Sequence, residues 1–175
     1  MVVKFVDVHK SGGTSIIHAL KLDNKGHYTL DKYTPNTFTV VRNPFDRLVS
    51  SFCYAKTINS FYYKKHPHYE RIANCDFETF VKALYAFEEH FQLRPQSDYI
   101  CDKDDNILVD HILRYETLQE DFNKFWNLKL PHLNKSDRDK DWEKYYNENT
   151  IKTVYEFYKR DFKNFNYDTR TKRLG

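Results

Sequence analysis

The chain has 175 residues, 40% of them hydrophobic and 30% charged, with a formal net charge of +3. That length and balance predict one soluble domain over residues 1–175 with a sizeable core, and so mild a charge gives no electrostatic footprint for nucleic acid. No apolar run reaches the length of a membrane-spanning helix, and the first residues read as a core strand rather than a signal peptide. A soluble, cytoplasmic protein without membrane partners is therefore expected.

Val2, Val3, Phe5, Val6 and Val8 form a near-continuous apolar run, which predicts a strand buried on both faces. A turn of Lys10, Ser11, Gly12, Gly13, Thr14 and Ser15 follows, and then Ile16, Ile17 and Leu20 recur at helical spacing. Main-chain N–H groups at a helix start, with small residues that admit a ligand, make an anion site. The stretch Asp23 to Asn36 is a polar connection carrying His27. Phe38, Val40 and Val41 predict a second buried strand that ends at Arg42. Asn43 then caps a helix with Pro44 at its first position, and Phe45, Leu48, Val49, Phe52 and Cys53 form its apolar stripe. Ser50 lies off the centre of that stripe. Arg47, one turn in, is read as structural, paired with Asp46 or another acid.

Thr57 to Asn74 reads as a long aromatic and basic loop or irregular helix. Asp76 caps a helix through Phe77, Phe80, Val81, Leu84 and Phe87, and Leu93 to Asp105 is predicted as a loop. Ile107 to Leu113 is a third strand, and Thr117 with Glu120 forms a capping box for a helix whose apolar face is Leu118, Phe122, Phe125 and Trp126. After a polar loop from Pro131 to Asp141, one last helix carries Ile151, Val154, Tyr155, Tyr158 and Phe162. The basic tail, about residues 168–175, is expected to be mobile. Strand, helix, strand, helix is the alternation of a parallel α/β sheet, which binds ligands beyond the carboxyl ends of its strands. Both Lys10–Ser15 and Arg42–Ser50 fall at such ends.

The first loop is not a Walker sequence, because Lys10 precedes the glycines instead of following them. An arginine fork at Arg42, with the Ser50 hydroxyl, suits a second, terminal phosphate. The three cysteines, Cys53, Cys75 and Cys101, show neither a disulfide framework nor zinc-ligand spacing, which predicts free thiols and no metal.

Taken together, HKSGGTSI and VVRNPFDRLVSSF resemble the two nucleotide-binding elements of sulfotransferases that use 3′-phosphoadenosine 5′-phosphosulfate (PAPS). The resemblance is specifically to the carbohydrate enzymes of the heparan-sulfate 2-O and chondroitin 4-O type. The similarity continues through HFQLRPQSDYI, HILRYETLQEDF, LPHLNKS and YEFYKRDFKNFNY, in the family's order. It implies a P-loop-like three-layer fold, a central parallel β-sheet flanked by helices. It also implies that Lys10 contacts the transferring sulfuryl group, that Ser11, Gly12, Gly13, Thr14 and Ser15 hold the 5′-phosphate, and that Arg42 and Ser50 hold the 3′-phosphate. Lys135 and Ser136 would reach the nucleotide from a later loop. His9 stands where the family often has proline. The 175 residues are also short for the family, and its usual N-terminal anchor and stem are not expected among them.

Sulfuryl transfer needs a cation on the leaving phosphate, an in-line donor and a base for the acceptor hydroxyl. Lys10 suits the first role. Of eight histidines, His27 lies where the 2-O enzymes carry their base, with His90 second. His66 and His68 read as surface or substrate contacts. The expected partner is a carbohydrate or another hydroxyl-bearing acceptor. Two other classes compete: a P-loop kinase, which would hydrolyse ATP with magnesium, and a glycan- or nucleic-acid-binding module, which would need no paired phosphate loops.

Overall fold

The computed structural model describes residues 3–23, 26–57, 73–87, 90, 92–131, 133 and 138–170. In chain order it contains β1 (Lys4–Val6), α1 (Gly13–Leu20), β2 (Thr37–Val41), α2 (Pro44–Ala55), α3 (Phe77–Lys82) and α4 (Ser97–Ile100). These are followed by β3 (His111–Arg114), α5 (Leu118–Trp126), α6 (Glu148–Phe157) and α7 (Lys159–Asn164).

The three strands pair in the order β1-β2-β3, all parallel, with Phe5 opposite Phe38 and Val40 opposite Leu113. β2 is central, and all five of its residues are buried. On one face Ile16 of α1 and Leu118 and Phe122 of α5 pack over Phe38, Val40 and Leu113. On the other, Val6, Val8 and Val41 meet Tyr99, Ile100, Val109 and Phe165. A separate core joins α2, α3, α6 and α7 through Phe45, Leu48, Val49, Phe80, Val154 and Phe162. This is an α/β fold with a central parallel sheet flanked by helices. Its strand ends and the start of α2 converge on one region.

Several local expectations change. β1 is shorter than its apolar run and lies at an edge of the described sheet, so Lys4 is exposed and Phe5 half-buried. The stretch 93–105 is not all loop, because Asp161 reaches across from α7 to cap α4. The third strand begins at His111, and Ile107 instead makes an isolated bridge to Cys101. Thr117 forms no capping box. Its hydroxyl donates to Asp121 at 2.7 Å. Phe125 turns half out of the α5 face, at 50% exposure. The last helix is two helices broken at Tyr158, whose hydroxyl is drawn inward to the Leu93 carbonyl at 2.8 Å. His66, His68, most of 57–74 and residues 171–175 lie outside the described residues.

Candidate active site

The turn between β1 and α1 is held in an unusual backbone shape. Lys10 sits at φ 65° and Gly12 at φ 90°. Glycine takes that region freely, whereas a lysine there costs about 1–2 kcal/mol. Such strain persists where the surroundings enforce it, commonly at functional positions. The turn delivers the chain to α1 with no side-chain cap and no acidic residue in the first turn. The acidic group at the positive end of the helix comes from outside it, the Asp7 carboxylate lying against Gly13.

Gly13 is required for a steric reason. A Cβ there would lie 1.8 Å from Oδ1 of Asp7, the residue just after β1. Ser11 and Ser15 are buried. The Ser11 hydroxyl donates toward Gln96 at 3.4 Å, and Ser15 Oγ accepts the Leu133 N–H at 3.3 Å. Thr14 is the exposed hydroxyl of the loop.

Arg42, one residue past β2, is almost fully buried. Its Nε and Nη2 donate to Oδ2 of Asp46 at 2.8 and 2.7 Å, and its Nη1 donates to the Lys10 carbonyl at 2.9 Å. The guanidinium also stacks 3.9 Å from the centre of the Tyr115 ring. Arg138 donates to the other Asp46 oxygen. Asp46 is thus taken by Arg42 and Arg138, and Arg47 binds elsewhere. Arg47 lies fully buried, with the Arg94 carbonyl at 2.7 Å and the His9 carbonyl at 3.4 Å, and the acid its charge acts on is the buried Asp161 rather than Asp46.

Helical spacing places Asp46, Ser50 and Tyr54 on one ridge of α2. Asp46 holds Arg42, and the Lys10 amine lies 4.0 Å from the centre of the Tyr54 ring. Buried Ser50 falls between them along that ridge. Among the described residues Lys10 makes no ion pair with a carboxylate. Burial pushes its amine down to about 8, reinforced by the Arg42 and Arg138 charges.

His27 comes to the same end of β1. Its Nδ1 lies 2.9 Å from the Asp7 carbonyl and 3.3 Å from the Asp7 carboxylate. A carbonyl oxygen can only accept, so Nδ1 is the donor of that hydrogen bond. The ring stacks on His9, with centroids 3.2 Å apart. Burial, with His27, Arg47, Lys10 and His90 nearby, holds His9 down to about 2, so it stays neutral. Burial lifts the Asp7 carboxyl to about 6, against the pull of His27. Asp7 is still mostly ionised near neutral pH.

His90 is buried. Its Nδ1 accepts the Gln92 N–H at 3.3 Å, and its carbonyl accepts from Leu93 and Arg94. Lys135 and Ser136 lie outside the described residues. On either side of them, Leu133 bonds to Ser15 and Arg138 to Asp46.

The fold thus gathers Lys10, Arg42, Ser50 and His27 at the carboxyl ends of β1 and β2. Sequence reading offered Asp46 to Arg47 rather than to Arg42, and passed over Asp7, Tyr54, Gln96, Tyr115 and Arg138. The i, i+4 spacing of Arg42 and Asp46 was a usable signal for that pair. The others are joined only by tertiary contact. Among the described residues no group of three or more His, Cys, Asp and Glu is placed to hold a metal, and no helix is long and apolar enough to cross a membrane.

The sequence model of a family described as "Sulfotransferase family" matches residues 3–168, nearly the whole chain. No curated protein and no solved structure matches it.

Proposed function

The chain belongs to the sulfotransferase family, and we propose that it transfers a sulfuryl group from PAPS to a hydroxyl of a carbohydrate or related acceptor. The observation that carries this reading is the convergence of two separate cation-bearing strand ends. The Lys10 loop opens α1, and Arg42 opens α2 with its guanidinium bonded back to the Lys10 carbonyl. A donor with phosphates at both the 5′ and 3′ positions needs two such anchors, and an ordinary mononucleotide needs one.

In this reading the α1 start, with Gly12, Gly13, Thr14 and the buried hydroxyls of Ser11 and Ser15 shaping it, receives the 5′-phosphosulfate. Arg42 and Ser50 receive the 3′-phosphate, and Lys135 and Ser136 are assigned to the nucleotide as well. The acceptor oxygen attacks sulfur as the bond from sulfur to the 5′-phosphate oxygen breaks. Lys10 neutralises charge growing on that leaving oxygen. The acceptor proton goes to Nε2 of His27, whose Nδ1–H is held by Asp7. The neutral His9 ring against it leaves the stacked pair with one charge after proton transfer. His90, buried and near enough to act on His9 electrostatically, is the second histidine for this role. No metal takes part in these steps.

The resemblance to heparan-sulfate 2-O and chondroitin 4-O enzymes makes an anionic glycan the first acceptor to try. Calorimetry should show a clear preference for adenosine 3′,5′-bisphosphate over AMP and ATP. Mass spectrometry of products formed from PAPS and a panel of glycans, small alcohols and tyrosine peptides should then find a sulfated species. Absence of the nucleotide preference would defeat the donor assignment. A fully active His27→Ala variant would remove His27 as the base.

A further inference from the structure

Gln96 lies just before α4, far along the chain from both loops, and is completely buried. Its side-chain oxygen accepts the Arg42 N–H at 2.9 Å, and its side-chain nitrogen donates to the Arg42 carbonyl at 2.8 Å. The carboxamide therefore serves both main-chain groups of Arg42, as a neighbouring strand would. It does so one residue past the end of β2. The same oxygen also accepts from the Ser11 hydroxyl, at 3.4 Å.

Gln96 is itself fixed from behind. Its N–H donates to Asp161 Oδ2 at 2.8 Å, while the Ser97 N–H and hydroxyl donate to Oδ1, each at 2.8 Å. Asp161 is fully buried on α7. A continuous chain of hydrogen bonds thus runs from α7 through Gln96 to the backbone of Arg42 and the side chain of Ser11.

We infer that Gln96 is a positioning residue for donor binding, a single carboxamide that sets the Arg42 anchor in register with the Ser11 loop and is clamped by Asp161. The inference rests on the reading that these two loops hold the two phosphates of one nucleotide. The phosphates of such a ligand have a restricted separation. Affinity for the pair therefore depends on how the two anchors sit relative to one another, and affinity for a single phosphate does not. A residue that merely stabilises the fold would affect both ligands alike.

The test measures binding of adenosine 3′,5′-bisphosphate and of AMP to the full chain by calorimetry, in the wild type, Gln96→Met and Gln96→Glu. Gln96→Met should weaken the bisphosphate about tenfold or more and AMP less than about threefold. Ionised, Gln96→Glu keeps an acceptor for the Arg42 N–H but cannot donate to the Arg42 carbonyl, whereas its protonated form restores both bonds, so its bisphosphate-to-AMP affinity ratio should fall relative to the wild type as pH rises. Equal losses for both ligands in Gln96→Met would overturn the inference. If Gln96→Met does not fold, Asp161→Asn leaves the Gln96 side chain in place and should shift the same ratio by a smaller factor. An unchanged ratio there counts against the inference. A wild type indifferent to the 3′-phosphate would instead overturn the donor reading beneath it.

Discussion

Raising the pH from about 7 to about 9 should weaken binding of adenosine 3′,5′-bisphosphate about tenfold through Lys10 alone. In the unliganded protein burial, with the charges of Arg42 and Arg138, brings the Lys10 amine down to about 8. Adjacent phosphates would hold it charged once bound. By linkage the observed affinity follows the fraction already protonated, roughly ten in eleven at pH ~7 and one in eleven at pH ~9. Binding at the higher pH should then take up about 0.9 proton per nucleotide. Calorimetry in two buffers of different ionisation heat reads that number directly, and Lys10→Met should abolish it. The same pH slope in both proteins, or no proton uptake by the wild type, would refute the argument. The stability of the unliganded chain carries the opposite sign. The folded amine titrates near 8 and the unfolded one near 10.5, so the unfolded chain binds more protons between those values. The Lys10 contribution therefore rises with pH across that window.

Four further outcomes follow from the geometry. Arg42→Ala should weaken the bisphosphate by about 1.5–3 kcal/mol, the value of a charged hydrogen bond, with a smaller loss for AMP by calorimetry. Lys10→Ala should lower turnover at saturating nucleotide by about 10²–10³, more than it lowers nucleotide affinity, so equal losses would make Lys10 a binding residue alone. Gly13→Ala brings a Cβ to 1.8 Å from Asp7 Oδ1. It should cost about 1–3 kcal/mol in urea unfolding, and adding Asp7→Ala should recover most of that. Asp161→Ala strands the N–H groups of Gln96 and Ser97 and the Ser97 hydroxyl. It should lower stability by about 2–4 kcal/mol, seen as an earlier thermal midpoint.

Where chemistry is local, the sequence was a sufficient guide. Asn43 and Pro44 open α2 as expected, with the Asn43 side chain accepting the Phe45 N–H at 2.9 Å. Asp76 caps α3. Thr117 shows the limit of a local signal, because a carboxylate one turn on competes for its hydroxyl. The break at Tyr158 was not legible either. It is set by the Leu93 carbonyl, 65 positions away.

By itself the sequence determined the alternation of strands and helices and the positions of Lys10 and Arg42 at strand ends. Apolar periodicity and turn residues act over a few positions and can be read one after another. Tertiary structure alone decided what those two cations meet. Folding set Tyr54 under Lys10, Asp46 and Tyr115 around Arg42, and Asp7 beside His27. It also placed Gln96 between Arg42 and Ser11. Those partners are chosen by burial. A polar group withdrawn from water takes whichever donor or acceptor the fold brings within about 3 Å, however far away it lies in the chain.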